Sequence, residues 1–470
     1  MQQIHKKYIT PQDIITLCKG QLLAGEENMV LKTFSNDTRT LQRGDFYLGI
    51  KGEKFNGGDF WEQALKKGAI GVMIQNVSIK PEKIEEYKDK IIIQVPDVIK
   101  AIQTLAAYKR SLYSIPVVAV TGSVGKTSTK DMIASVMAQK FQVLKTKGNF
   151  NNHIGLPLTI LSLQEEEAMV VEMGMNNLGE IRILTNIAKP TACVITNIGT
   201  SHIGNLGSRQ NILKAKLEIL EGMESKGTLI LNNDNDLLKE WNKNQTQYHT
   251  ITYGIEVPSD YNAYDIKQKD DESTYLVDVG ETSEAVCVPV PGKHFIYNSL
   301  CSIVVGRLFH LSMQQIQKGI QEFELTEKRM EISTIPEDIT LINDCYNANY
   351  DSMKYAIEYL GSLQGKRKIA VLGDMLELGE YAKQLHEKIG IQLKQNNIDL
   401  IITVGELAKY ISDKALCLGF EKENIYCCTT NEQAIRQLKA MLKPKDAILI
   451  KASHGMKFHE IVSAISPKEE

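Results

Sequence analysis

One segment constrains this chain more than any other: VVAVTGSVGKTSTKDM at residues 117–132. A β-branched run that ends in glycine and passes straight into a helix-forming stretch predicts strand, tight turn and helix, the helix running from Lys126 to Lys140. On such a turn the backbone N–H groups of Gly122, Ser123, Val124 and Gly125 face a phosphate, and the helix N-terminus adds favourable partial charge. Lys126 reaches the β- and γ-phosphates of ATP, the Thr127 hydroxyl can hold Mg2+, and Ser128 belongs to the same nucleotide-binding set. Val120 stands where the stricter pattern wants glycine, so the match is GxxGKT. The competing reading is a glycine turn with a surface lysine; the strand before, the helix after and the threonine beside the lysine weigh against it.

At 470 residues the chain exceeds what one hydrophobic core organises, and its apolar runs divide it in three. Residues 1–113 mix short runs, GVMI (71–74) and IIIQV (91–95), with a helical pattern from Phe60 to Lys67, as a small α/β unit does. Residues 114–325 alternate strands such as MVVEMG (169–174), ACVIT (192–196) and TLILNND (228–234) with helical stretches, which predicts a P-loop-type, mostly parallel sheet. Residues 326–470 restart the alternation with TLIND, KIAVLGD, LIITVG and AILIKAS, which predicts a Rossmann-like doubly wound sheet. Polar residues close those last strands, Asn343, Asp344, Asp374, Lys451 and Ser453, at the edge where such sheets bind ligands. The expected class is α/β throughout.

Glu172 ends the run MVVE, and a carboxylate at a strand terminus beside a phosphate loop is where a magnesium ligand belongs. Taken alone, a surface acid after a buried strand is the stronger reading. The helix beginning near Ser208, SRQNILKAKLEILEGM, gathers Ile212, Leu213, Leu217, Ile219 and Leu220 on one apolar arc with Lys216 near its centre. Lys214, Glu218 and Glu221 fall opposite. A lysine on that arc is paired, neutral or chemically modified, CO2 turning the neutral amine into a metal-binding carbamate. With equal weight, its stem packs and its head reaches water. His202, in NIGTSHIGNLGS, follows a sheet strand on the Glu172 side, though a lone loop histidine is more often solvated than a ligand.

A net charge of −3 supplies no field for nucleic acid or an anionic membrane, so an anionic ligand must be gripped locally. The eight cysteines show no CxxC and no paired histidine spacing, and read as reduced core residues. MQQIHKKYITPQDII has no apolar h-region and no window reaches transmembrane length. The chain is therefore expected to work in the cytoplasm, as a monomer and without membrane insertion.

Taken together, these segments resemble the Mur ligase family along the whole chain. DTRTLQRGDFYLGIKGEKFNGGDF (37–60) is similar to the family's DSR...GDLF...KG...DG signature, with Thr38 for serine. TGSVGKTSTK, TKGNFNNHIGLPLTIL, VVEMGMNNLGEI, ITNIGTSHIGNLGS and KAKLEI match the middle of the family, and PGKHFIYNSL resembles GxHNxxNxLA with Phe295 for asparagine. KRMEI is followed by INDCYNANYDSM, which resembles DxYNANPxSM with Tyr350 for proline. VLGDMLELGE comes next, and KASHGM carries Ala452 and His454 where KGSRGM is commoner.

The resemblance implies that Thr38, Arg39 and Lys51 hold a UDP moiety. Asn149, Asn151 and Asn152 would meet the nucleotide-sugar peptide and the ATP phosphates. Lys126 goes to the phosphates, Thr127 and Glu172 to one Mg2+ and His202 to a second, with Lys216 a carbamylated metal ligand. Asn298 would contact adenine, Arg329 the transferring phosphate and Asp344 the ribose region. Asn347, Asn349, Lys451 and Ser453 would lie near an incoming dipeptide. The implied catalytic set is Lys126, Glu172, His202, Lys216 and Arg329.

DCYNAN and LGDMLELGE are typical of the branch that joins D-alanyl-D-alanine to UDP-N-acetylmuramoyl-tripeptide. In the implied reaction ATP phosphorylates the tripeptide carboxylate, and the dipeptide amine attacks the acyl phosphate to give an amide, phosphate and ADP. Rival readings are a family relative that adds one amino acid or lengthens folate with glutamate, and a P-loop kinase or motor ATPase. A catalytically silent scaffold is disfavoured by the intact Lys126, Glu172, His202 and Lys216. A requirement for both UDP-tripeptide and a dipeptide amine before ADP is released separates the ligase from the kinase.

Overall fold

The computed structural model of the protein describes residues 7–269, 271–325 and 328–466 and arranges them around three β-sheets. The first has the strand order Gln21–Ala24, Ile91–Gln94, Gly71–Ile74, Phe46–Leu48, Phe34–Ser35. Only its first pair is antiparallel. GVMI is buried at every position, which is why its sequence is a continuous apolar run. The helix Val98–Ser111 packs against Pro11–Cys18 on one side and against Gly155–Leu161 and Glu180–Ala188 on the other. A continuous apolar core, not a linker, therefore joins this unit to the next.

The middle sheet runs Thr282–Val288, Ser273–Val279, Tyr261–Gln268, His249–Gly254, Thr228–Asn232, Ala192–Ile195, Val117–Thr121, Ala168–Glu172, Val143–Lys145. It is parallel from Tyr261–Gln268 onward, while Ser273–Val279 and Thr282–Val288 turn back antiparallel. Val117–Thr121, Ala168–Glu172 and Ala192–Ile195 are adjacent and buried throughout, so the loops at their carboxyl ends emerge at one shared edge. The antiparallel extension has no counterpart in the apolar runs, because strands such as YNAYDIKQ mix exposed and half-buried positions.

The third sheet has the order Glu331–Ile335, Ile339–Asn343, Ala447–Lys451, Lys368–Gly373, Leu400–Val404, Ile425–Cys428, parallel after an antiparallel first pair. One of its faces forms a separate apolar cluster. Ala447–Lys451, last in sequence, sits between strands 339–343 and 368–373, which makes the reversal of order where an open α/β sheet binds ligands.

Several expectations are corrected. The helix after the glycine turn ends at Met137, not Lys140, and the Phe60–Lys67 pattern becomes a 3-10 turn Gly57–Phe60 followed by the helix Trp61–Lys66. All eight cysteines are free, but only Cys193, Cys301, Cys345 and Cys428 are core; Cys417 and Cys427 are exposed. Among the described residues no helix is long and apolar enough to cross a membrane.

Candidate active site

The edge of the middle sheet is built from its glycines outward. Gly122 has φ +155°, and a Cβ there would lie 1.8 Å from Thr196 Oγ1. Its missing side chain lets two strand-end loops touch. They are then stitched together: Ser123 N–H donates to Asn197 O (3.0 Å), Val124 N–H to Asn197 Oδ1 (2.9 Å) and Thr196 Oγ1 to Val124 O (2.7 Å). Lys126 Nζ donates to Gly122 O at 2.9 Å, so the ammonium already lies over the loop it serves.

Glu172 is 2% exposed, and each carboxylate oxygen has one partner. Oε2 accepts from Thr127 Oγ1 and Oε1 from Asn151 Nδ2, both at 2.7 Å. Its own N–H donates to Thr146 Oγ1 at 3.0 Å. Behind it Lys130 Nζ donates to Thr146 O at 2.7 Å and lies 3.1 Å from Asp131. Asn152 Oδ1 accepts from Ile154 N–H (3.1 Å) and Gly155 N–H (2.8 Å) where the helix Gly155–Leu161 begins. Asn149 lines the cavity.

Lys216, in the helix Arg209–Leu217, is 2% exposed and has no carboxylate partner among the described residues. Burial draws its pKa well below the ordinary lysine value, and the charge of Lys126 acts in the same direction. The helix projection succeeded there and failed at Glu218, expected in solvent but found buried. The α-helix gives way at Leu217 to a 3-10 turn, Glu218–Gly222, whose tighter winding changes the phase. Glu218 then accepts from Gly179 N–H (2.7 Å) and Arg182 N–H (3.2 Å) at the start of the helix Glu180–Ala188.

His202 has φ +61°, an uncommon conformation for a residue with a side chain. Burial pulls its pKa to about 4, and the charges of Lys126 and Lys216 push the same way. Its Nδ1 lies 2.8 Å from Glu377 Oε2 but off the line a hydrogen bond needs. Burial also lowers the Lys126 pKa; Glu172 opposes this and Arg329 adds to it. Arg329 stacks on Tyr346, 4.0 Å from the ring centre, with Nε buried and unpartnered. Lys126, Lys216, His202, Glu172 and Arg329 thus form one electrostatic group.

They line a single cavity of about 460 Å³ between the middle and C-terminal sheets. Ser123 to Ser128, Asn151, Asn298, Asp344, Asn347, Asn349, Lys451 and Ser453 line it too. Gly122, Thr38, Arg39 and Lys51 do not. Thr38 Oγ1 is 3.5 Å from Gln63, Arg39 pairs with Asp37 at 2.6 Å, and Lys51 is exposed on the first unit. Asn298 Oδ1 accepts from Thr129 (2.9 Å), which leaves its buried Nδ2 without a partner. Phe295, 1% exposed, packs on His294 with ring centres 4.2 Å apart, so an apolar ring stands where a polar contact is usual.

Two of these residues also make bonds within the chain. Lys451 pairs with Asp344 Oδ2 and donates to Asn347 O at 3.1 Å, so its ammonium holds the chain's own groups together. Asn349 caps the helix Tyr350–Ser362 and donates from Nδ2 to Ser201 Oγ at 2.5 Å. Sequence reasoning missed Asn197, His294, Asp351 and Glu377. His294 adjoins Phe295, Glu377 lies inside LGDMLELGE, Asn197 opens NIGTSHIGNLGS and Asp351 lies inside INDCYNANYDSM, so all four fall in segments already singled out, though no spacing there assigned them a role.

The donors suit magnesium. Thr127 and Glu172 offer hard oxygens, and no group of three His, Cys, Asp or Glu among the described residues makes a closed cage. A shell completed by phosphate oxygens and water is the arrangement Mg2+ favours.

Three family descriptions match in succession: Mur ligase family, catalytic domain (32–110), Mur ligase middle domain (120–306) and Mur ligase, glutamate ligase domain (328–454). The UDP-N-acetylmuramoyl-tripeptide--D-alanyl-D-alanine ligase of Bacillus subtilis is 38% identical over 457 residues, covering 96% of this chain and 97% of the relative. The crystal structure of MurF from Acinetobacter baumannii superposes with a TM-score of 0.87 at 26% identity, over 97% of this chain and 98% of that one. MurF ligase from Thermotoga maritima in complex with ADP gives 0.79 at 26% identity, over 92% and 97%.

Proposed function

The chain belongs to the Mur ligase family, and from that premise we propose that it joins D-alanyl-D-alanine to UDP-N-acetylmuramoyl-tripeptide at the expense of ATP, in peptidoglycan precursor synthesis. The observation that carries this reading is the convergence of Lys126, Lys216, His202 and Arg329 on the Thr127–Glu172 pair, in a cavity shared with the C-terminal unit. Four basic groups around one carboxylate make a place for triphosphate and carboxylate, and the wall beyond offers neutral amides for a peptide.

In this reading residues 1–113 carry the UDP-linked substrate, 114–325 the nucleotide and 326–470 the dipeptide. The glycine loop and Lys126 hold the β- and γ-phosphates, and Arg329 stacks beside the transferring group with a free N–H to give. Asn298 offers its unpartnered Nδ2 to the adenine. Thr127 and Glu172 would hold one Mg2+ and His202 a second, which supply charge neutralisation on the phosphate oxygens. Lys216 is suited to carbamylation: burial and the charge of Lys126 favour its neutral amine, which adds CO2 with formation of a C–N bond and loss of one proton, so that a neutral group beside Lys126 becomes an anion that can hold metal.

Phosphorylation gives the tripeptide carboxylate a leaving group. The dipeptide amine attacks the acyl carbon, and the tetrahedral intermediate collapses to amide and phosphate. We expect the enzyme to act as a cytoplasmic monomer. Mass spectrometry of the product from ATP, D-alanyl-D-alanine and UDP-tripeptides ending in lysine or diaminopimelate tests the assignment. Product mass should equal the two substrates less water, with ADP released only when both are present. Sustained, multiple-turnover ADP release without the dipeptide would favour a kinase.

A further inference from the structure

The C-terminal unit touches one short loop of the middle unit, Gly199 to Gly207, repeatedly. Asp351 Oδ2 accepts from Thr200 N–H (2.8 Å) and Thr200 Oγ1 (3.0 Å). The approach is so close that a Cβ on Gly199 would lie 2.2 Å from that oxygen. Asn349 donates to Ser201 Oγ, Gly204 N–H donates to Glu377 O (3.2 Å), and Tyr381 OH donates to Gly207 O (2.6 Å).

The loop's other side is fastened to the phosphate loop. Gly199 N–H donates to Ser123 Oγ (2.9 Å) and Ser201 Oγ donates to Ser123 O (3.0 Å). Between these two sets of ties sits His202, facing Glu377 from the opposite unit. The two have φ +61° and +63°, conformations that persist where surrounding structure imposes them.

We propose that the loop Gly199–Gly207 carries the docking of the C-terminal unit to the phosphate site, with Asp351 and Glu377 as the positioning residues that set His202. Resting on the ligase reading, it adds a means by which the unit that brings the amine completes the site that activates the acid. Asp351 occupies the position that DxYNANPxSM leaves unspecified. A docking contact of this kind works both ways: nucleotide on the glycine loop favours docking as much as docking favours nucleotide.

The test is small-angle scattering of the full chain with and without ADP and Mg2+, for wild type, Asp351→Ala, Thr200→Val and the double variant. Wild type should contract on binding nucleotide. Each single variant should bind ADP yet contract less, Asp351→Ala more so because Thr200→Val keeps the backbone bond, kcat for ligation should fall about five- to fiftyfold in Asp351→Ala, and the double variant should be no worse than Asp351→Ala. Glu377→Ala should lower kcat at unchanged KM for ATP and move the His202 imidazole resonance in the ADP complex.

Contraction and turnover equal to wild type in the Asp351 and Thr200 variants would overturn the proposal. So would single effects that simply add, a lowered melting temperature with normal contraction, or a wild type whose scattering ignores nucleotide. Scattering needs no ligation chemistry, so a wild type that contracts but forms no amide overturns the function reading instead.

Discussion

The rims of the two large sheets hold buried lysines in opposite circumstances. At the middle sheet Lys216, 2% exposed, lies near Lys126 with no carboxylate partner among the described residues. At the C-terminal sheet Lys451, 1% exposed, is paired with Asp344 and donates to Asn347 O. A buried ammonium that meets its acceptors inside the protein belongs to the frame. One held beside a second cation gives up its proton or takes an anion. The middle rim thus holds a buried lysine without a counter-charge, whereas the buried lysine of the C-terminal rim is already paired.

Breaking the first lysine should have the largest effect. Lys216→Ala is expected to cut amide formation by about 10³-fold, with partial recovery when short carboxylates are added in place of the lost carbamate. Lys216→Met should at the same time melt no lower than the parent, since it removes a buried amine that has no partner. Retained activity in Lys216→Ala would take the carbamate out of the mechanism, and a large fall in melting temperature for Lys216→Met would make the residue structural.

The second lysine should answer in the other currency. Lys451→Met strands the buried Asp344 carboxylate and should destabilise the protein by about 3–5 kcal/mol, measured by urea unfolding. If Lys451→Met unfolds like the parent, the contrast between the rims is void.

The sequence announced the two rims unequally. Strands 117–121, 168–172, 192–195, 368–373 and 447–451 were legible because their residues are buried on both faces and so are continuously apolar. Lys216 was legible because a 3.6-residue period carries it onto an apolar face. Glu218 was not, because a switch to 3-10 winding one residue after the helix ends is invisible to a projection that assumes one period. Strands 261–268 and 282–288 were missed because half-exposed strands look polar. Asp351 and Glu377 acquire partners only when two separately folded sheets meet, and that docking has no local signature. Thr38, Arg39 and Lys51 rested on resemblance alone, and they stand outside the cavity.

The wall where the rims meet offers a smaller effect that sharpens the comparison. His294 lines the cavity beside Tyr355, and its pKa is lowered to about 4, first by burial and then by the charge of Lys451. Folded His294 therefore takes its proton later than the unfolded chain does. Its contribution is whole above about pH 6.5 and is lost as pH falls from there to about 4, a loss of order 2–3 kcal/mol. In Lys451→Met the like charge is gone, so the His294 titration followed by NMR should move upward and the acid loss should shrink. An unmoved titration would mean that burial alone holds the ring neutral.

The smallest effect concerns Tyr350, which stands where the related element has proline. Asn349 has φ −145° and ψ 172°, the extended backbone a following proline requires, and Tyr350 is the first residue of its helix, where an N–H has no helical partner. Tyr350→Pro should therefore gain about 0.4–1 kcal/mol by restricting the unfolded chain. It forfeits a half-buried ring that lies 5.7 Å from the Lys388 ammonium, a contact worth about 0.5–1 kcal/mol. The two nearly cancel, and the melting temperature should shift by no more than a few degrees. Because Asn349 and Asp351 keep their ties to the loop 199–207, kcat should hold as well. A large loss of stability would show that the ring, not the Asn349 cap, fixes where this helix begins, and that packing rather than hydrogen bonding orders this part of the C-terminal rim.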